Sequence, residues 1–424
     1  MKAMRLIVGI ALFVLCQAAA APAPGASTGG TRNWPADLDY FAQAFPASQK
    51  DCYQLIPRDK FEREVAELKR AAPQLSDAEI ILELTRVVAS LGVAHTKVAP
   101  ESGLGARAFH HYPIQMQWFG DSLRITAAEQ EHQEAIGSRV TRVGSMTPAQ
   151  AEAKVAPYIA TENSIHLHVQ SPRHMALVEL MQHEKIADAS GRLQLACAKT
   201  DGKELTLVLA PMSAGQRRRK LLGASDIFNI PLKFCRKQPN SYYWYEYLPD
   251  THALYIQYNK CHDAPGNHFE SFTAKLFAEA DSRPVQRVIV DLRFNGGGDS
   301  GVVKRLVAGL KARPALIRPG HLYALIGGHT FSAGMWAAMG FHTGLHAILV
   351  GEPVGNKPNH YGEANSFTLP NSKLKVAYST KHFRMVRNAD PASLEPDIAV
   401  PSSFDDFLAG RDPVLDTALR HPLQ

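Results

Sequence analysis

Val288-Ile-Val-Asp-Leu-Arg-Phe-Asn-Gly-Gly-Gly298 runs from an unbroken apolar stretch straight into three consecutive glycines. A short apolar run ending at a turn predicts a strand covered on both faces, the kind found in parallel sheets. Its neighbours keep the same rhythm. Leu254-Tyr-Ile-Gln-Tyr258 precedes it as a strand, with a helix over Phe269 to Ala280 between the two. After it come a helix near Val302 to Leu310, a strand over Leu322 to Ile326, a helix over Ala333 to His342 and a strand over Ala347 to Val350. This alternation predicts a layered α/β domain with a largely parallel sheet, from about Ala253 to the C-terminus.

Two turns of that domain carry candidate chemistry. Glycines at a strand exit permit unusual dihedrals and close backbone approach, so Asn295-Gly-Gly-Gly298 suits a ligand or reacting group as well as a plain tight turn. It lacks both G-x-G-x-x-G and the Lys-Ser/Thr of a P-loop, which excludes the common nucleotide-binding loops. The second turn, Gly327-Gly-His-Thr-Phe-Ser332-Ala-Gly334, places Ser332 at the start of a helix. Unpaired N–H groups and the helix dipole there favour developing negative charge, as an acyl-transfer nucleophile needs. An ordinary capping serine would occupy the same position. A serine hydroxyl also needs a base. Lys357 follows the strand that ends at Val350, so it can share a sheet edge with Ser332. It would serve as base only if an apolar surround lowered its pKa. His342 and His346 stand four apart without a third ligand at supporting spacing, so the sequence implies no metal and no cofactor.

The upstream half reads differently. From Trp34 to Leu91 the pattern is helical: Phe61, Val65 and Leu68 recur at helical spacing, and Ser76-Asp-Ala-Glu79 forms a capping box. Between Tyr112 and Pro211, Ile114 to Trp118 and Leu123 to Thr126 alternate like half-buried strands, followed by a helix near Pro148 to Ala156 and a strand pair over Leu193 to Leu209. That order resembles the later part of a PDZ domain and equally an α+β connector. Arg217-Arg-Arg-Lys220 marks a solvated boundary. At the N-terminus, Lys2 and Arg5, the apolar run Leu6 to Leu15 and Ala18-Ala-Ala20 have the order of a secretory signal peptide. The expectation is an exported, periplasmic or secreted protein with no transmembrane anchor in the mature chain. The 424 residues are 45% hydrophobic and 20% charged, enough for two or three folded domains. The formal charge of +6, to which Lys2 and Arg5 contribute, is too small to argue for nucleic acid as partner. Cys52, Cys197, Cys235 and Cys261 contain no C-x-x-C pair, and either disulfides or isolated thiols fit their spacing.

Five blocks in order carry a resemblance: Asp291-Leu-Arg-Phe-Asn-Gly-Gly-Gly298, Thr330-Phe-Ser-Ala-Gly334, Gly351-Glu352 with Lys357, Glu395-Pro-Asp-Ile-Ala-Val400, and Gly410-Arg-Asp-Pro-Val-Leu-Asp-Thr-Ala418. They resemble the C-terminal processing (tail-specific) protease family, in a superfamily that also holds the tricorn core protease and interphotoreceptor retinoid-binding protein. The resemblance implies a crotonase-like layered α/β protease domain over 253–424, a helical N-terminal unit over 34–100 and a PDZ-like α+β region over 101–215. Residues 1–20 would be the signal peptide, 21–33 a lead-in, and 216–252 a linker with a strand. It also implies a serine-type endopeptidase acting on peptide or protein substrates. Ser332 would be the nucleophile, with the backbone N–H groups of Gly297 and Ala333 as oxyanion hole. Two bases stay open: Lys357, at the spacing of the processing proteases, and His95, at the position used by tricorn-like members, with Asp390 as the supporting carboxylate. Met335 stands where the processing proteases carry Glu or Gln. That departure keeps a non-catalytic member of the same fold, a carrier of apolar ligands or a chaperone-like peptide binder, as the alternative. Oligomeric state is not read from the sequence.

Overall fold

The computed structural model describes residues 33–49, 53, 56–213, 216, 221–223, 234–238 and 240–423. The segment expected to be a signal peptide, the expected lead-in up to residue 32, the basic run 217–220 and Cys52 lie outside the described residues.

The apolar run over 288–290 lies in the strand Arg287–Asp291, third in a six-stranded sheet ordered Tyr243–Leu248, Ala253–Tyr258, Arg287–Asp291, Leu322–Ile326, Ile348–Gly351, Ile398–Ala399. The first two strands are antiparallel and every later pair is parallel. Period-two alternation divides each strand between two cores. Leu254, Ile256, Val288, Val290, Leu322 and Ala324 face the helices Phe269–Ser282, Lys304–Lys311 and Ala333–Leu345. Tyr255, Ile289, Tyr323 and Leu325 face the opposite way, onto Val414, Leu415 and Ala418 of the helix Pro413–Arg420. Both faces are covered, which is why these strands read as continuous apolar runs rather than alternating ones.

The helices Trp34–Ser48, Arg58–Ala71 and Asp77–Ala89 form the N-terminal unit. Ser76 and Glu79 close the expected capping box at the third. A second sheet follows, antiparallel throughout, with Ile114–Phe119, Ser122–Ala128, Arg139–Val143, Leu193–Ala198 and Glu204–Leu209 in that order. It shares one apolar core with the N-terminal helices. A long hairpin from the C-terminal half, Asn359–Thr368 and Lys375–Arg384, reaches across to this unit. Its second strand pairs with Lys97–Ala99, and Leu369, Leu374 and Val376 enter the upstream core. The segment carrying His95 is thereby fastened to the segment that follows Lys357. Among the described residues no helix is long and apolar enough to cross a membrane. Cys197, Cys235 and Cys261 are buried free thiols.

Candidate active site

The two glycine-rich turns lie against each other at the C-terminal ends of adjacent parallel strands, where helix N-termini and loop backbone converge. Thr330 Oγ1 donates to Leu292 O at 2.9 Å, and the Phe331 N–H donates to Asn295 O at 2.9 Å. Two glycines make this approach possible. A Cβ on Gly297, whose φ is +101°, would stand 2.7 Å from Ser332 Cβ, and one on Gly334 would stand 2.4 Å from Asn295 O. Any side chain at either position would push the turns apart.

Ser332 precedes the helix Ala333–Leu345 with φ 51° and ψ −126°, a conformation non-glycine residues avoid. Such strain costs about 1–3 kcal/mol and persists only where the surroundings impose it. Here Asn356 Oδ1 accepts the Ser332 N–H at 2.8 Å. The Ser332 side chain caps nothing, so the capping-serine reading does not describe it. The Ala333 N–H, in the first turn of the helix, meets no acceptor among the described residues. The Gly297 N–H does meet one: it donates to Asn295 Oδ1 at 2.9 Å.

His95 reaches the site from the N-terminal unit. Its ring stacks on Phe331 at 4.8 Å and on His360 at 5.6 Å. Both ring nitrogens are buried, with the Tyr361 backbone as their polar neighbour. Burial, reinforced by His360, Lys97 and His166, pushes the His95 pKa down to about 3, so the imidazole is neutral near pH 7. Lys357 and Asp390 are also brought together, but with each other. Lys357 Nζ donates to Asp390 Oδ2 at 2.6 Å, so its nitrogen is engaged with a carboxylate rather than with Ser332. Met335 is fully buried among the apolar residues under the sheet.

These observations place a strained serine, a helix N-terminus and a buried neutral histidine at one point of the fold. No family pattern and no curated protein matches the sequence. Solved structures do match. Mature CPAF superposes with a TM-score of 0.62 at 12% identity, over 91% of this chain and 96% of that one. The chain has the CPAF fold. Mature CPAF complexed with lactacystin matches with a TM-score of 0.61 at 10% identity, over 92% of this chain and 99% of that one. The photosystem II D1 C-terminal processing protease is a more distant match, with a TM-score of 0.41 at 10% identity over 89% and 96% of the two chains.

Within this CPAF-like fold, three residues at the site, His166, Asn356 and Glu162, carry no sequence motif. Phe331, next to the serine, stacks on His166 at 4.7 Å as well as on His95. Asn356 is fully buried, and its Nδ2 donates to Glu162 Oε2 at 3.1 Å. Glu162 Oε1 also accepts the Tyr361 N–H, at 3.4 Å. Glu162 lies between Thr161 and Asn163, the residue that caps the helix Ser164–His174, and nothing in that spacing announces a site. Burial pushes its pKa up to about 8 against the weaker pull of the Tyr361 N–H and Lys357, so the carboxyl is neutral near pH 7.

This has a stability consequence with a definite sign. Between the unfolded carboxyl value of ~4.3 and about 8, the folded protein holds a proton that the unfolded chain has lost. Stability therefore falls as pH rises through that window, by on the order of 1.4 kcal/mol per unit at most, and Glu162 contributes no slope below it. Glu162→Gln cannot ionise. In urea denaturation at pH 5 and pH 8, the wild-type protein is expected to lose more stability over this interval than Glu162→Gln, by a few kcal/mol. Parallel curves for the two proteins would refute the neutral carboxyl.

Proposed function

We propose that the chain is a serine peptidase working through an acyl-enzyme on Ser332, with His95 as general base. The observation that carries this reading is Ser332 itself, strained and uncapped at a helix N-terminus, next to Phe331, whose ring stacks on a buried neutral imidazole. Ser332 Oγ attacks the scissile carbonyl while His95 takes its proton. The Ala333 N–H meets the oxyanion, and the Gly297 N–H joins it once the Asn295 amide releases it. Collapse returns the proton from His95 to the leaving amine, and water then hydrolyses the ester by the same route in reverse. Asn356 holds the Ser332 main chain, and the Lys357–Asp390 pair fixes the loop that carries Asn356. Lys357 is thus a positioning residue in this reading, and Asp390 acts through it.

The substrates are peptide or protein chains, cleaved as an endopeptidase, after export directed by residues 1–20. The antiparallel sheet over 114–209 is read as the PDZ-like region. A fluorophosphonate probe is expected to label the purified protein at one site, identified by peptide mapping as Ser332, and to leave Ser332→Ala unlabelled. Equal labelling of the two proteins removes Ser332 from the mechanism.

A further inference from the structure

A cavity of about 370 Å³ opens between the helix Asp77–Ala89, the strand Lys97–Ala99 and the helix Ser164–His174. Its volume is near the lower end of ligand pockets, which run from about 300 to 1,000 Å³, and suits a side chain better than a length of chain. His166 is the wall it shares with the site: the same ring stacks on Phe331, the residue before Ser332. Leu82, Ile159, Leu177 and Leu180 contribute apolar lining.

The charges around this cavity do not cancel. Arg173 is matched by Glu101, at 2.7 Å, and Glu101 also bonds His111. Burial pushes His166 and His174 down to about 4 each, so both imidazoles are neutral near pH 7. Lys97 remains. Among the described residues its ammonium has no ion pair and no hydrogen-bond acceptor. The residue is exposed to solvent and lines the cavity. Desolvation lowers its pKa, with Arg173 adding to the effect, and its charge in turn bears on His95, His166 and His174. A lysine that lines a cavity without a counter-ion is a ready charge-assisted hydrogen-bond donor for an anionic ligand.

We infer that this cavity is a specificity subsite for a substrate side chain ending in a carboxylate on a short apolar stem, with Lys97 as the group that reads the charge. The inference rests on the peptidase reading, because it makes His166 and Phe331 the bridge between the bound side chain and Ser332. Glutamate and aspartate have the required chemistry: methylene groups for the Leu177 and Leu180 wall, and an oxygen pair for the ammonium. The neutral imidazoles add polar contacts without repelling the anion.

The test uses paired peptides identical except for Glu or Gln at one position, scanned along the sequence, each with a free and with an amidated C-terminus. At one position kcat/KM for Glu is expected to exceed that for Gln by about 10- to 100-fold, the range for a charge-assisted hydrogen bond. Lys97→Met should bring that ratio close to one and Lys97→Arg should keep it above one. No position with a Glu preference, or a preference untouched in Lys97→Met, overturns the subsite. A preference that follows the free C-terminus instead of the side chain overturns the side-chain assignment. Binding of fluorescent Glu and Gln peptides to Ser332→Ala protein is the second readout, and it needs no turnover. Glu-selective binding that Lys97→Met abolishes supports the subsite even if the wild-type protein cleaves nothing, in which case only the peptidase reading fails.

Discussion

Ser332→Ala and His95→Ala are each expected to lower kcat/KM on an unfolded protein substrate by about 10³-fold or more, and the double variant to lower it no further than the more damaging single change. The non-additivity is the informative part. A nucleophile and its base act as one unit, so once either is gone the other has nothing left to contribute. Lys357→Met should behave differently. Its ammonium is bound to Asp390 at 2.6 Å, so its loss loosens the Asn356 loop without removing a proton acceptor, and turnover should fall by about 10-fold at most. The pH profile separates the bases independently. A lysine base requires activity to climb on the alkaline side of neutrality, because the amine must lose its proton first. His95, pushed down to about 3, is already neutral across the ordinary working range, so the acid limb of kcat/KM should lie well below pH 6.5. An inactive Lys357→Met enzyme beside an active His95→Ala enzyme would reverse the assignment of the base.

The turn glycines could be read in the sequence because their reason is local. Three glycines at a strand exit and a serine on a small-residue turn each mark backbone that must bend or approach closely, and the structure sets Gly297 against Ser332 with no space for a Cβ. The strands of the main sheet were legible for the same kind of reason, since burial on both faces leaves an unbroken apolar run such as Val288 to Val290. What surrounds Ser332 was harder to see. Lys357 stands at the right spacing, but spacing along the chain says nothing of Asp390, 33 residues on, which binds it. Glu162 and Asn356 are 194 residues apart and meet only because the sheet strands and the strand Asn359–Thr368 bring their loops together. The hairpin itself escaped the reading: its first strand, Asn359 to Thr368, contains few β-branched or apolar residues, and the pairing of its second strand, Lys375–Arg384, with Lys97–Ala99 is entirely non-local. The helix Ser164–His174 was missed as well, because Ile165-His-Leu-His-Val-Gln170 alternates with the period of a strand rather than of a helix.

Arg293→Met is expected to cost about 3–5 kcal/mol of stability, the usual penalty for removing one partner from a buried ionic cluster. Arg293 is the third residue of the Asp291-Leu-Arg segment, and its side chain is 13% exposed, with those of Asp291 at 0% and Asp412 at 8%. Its guanidinium bonds both carboxylates: Nη2 to Asp291 at 2.6 Å and to Asp412 at 2.8 Å, and Nη1 to Asp412 at 2.6 Å. Asp291 also accepts the Tyr255 hydroxyl at 2.7 Å, and Asp412 caps the helix Pro413–Arg420. Methionine fills much of the volume but strands two buried carboxylates side by side. Such a pair relieves itself by taking up a proton, so the deficit against wild type should shrink as pH falls towards 4 and be greatest near neutrality. Arg293→Lys should recover only part of the loss, because a single ammonium cannot reproduce the planar fork that spans both acids. The same cluster fixes where the chain leaves its strand and turns towards Gly297. A folded fraction of Arg293→Met is therefore expected to show a lower kcat than wild type, because the glycine turn no longer sets its N–H groups against Ser332. Urea denaturation at pH 7 and pH 4 checks the stability claim, and a loss under about 1 kcal/mol at pH 7 would show that the carboxylates are not desolvated as the packing implies.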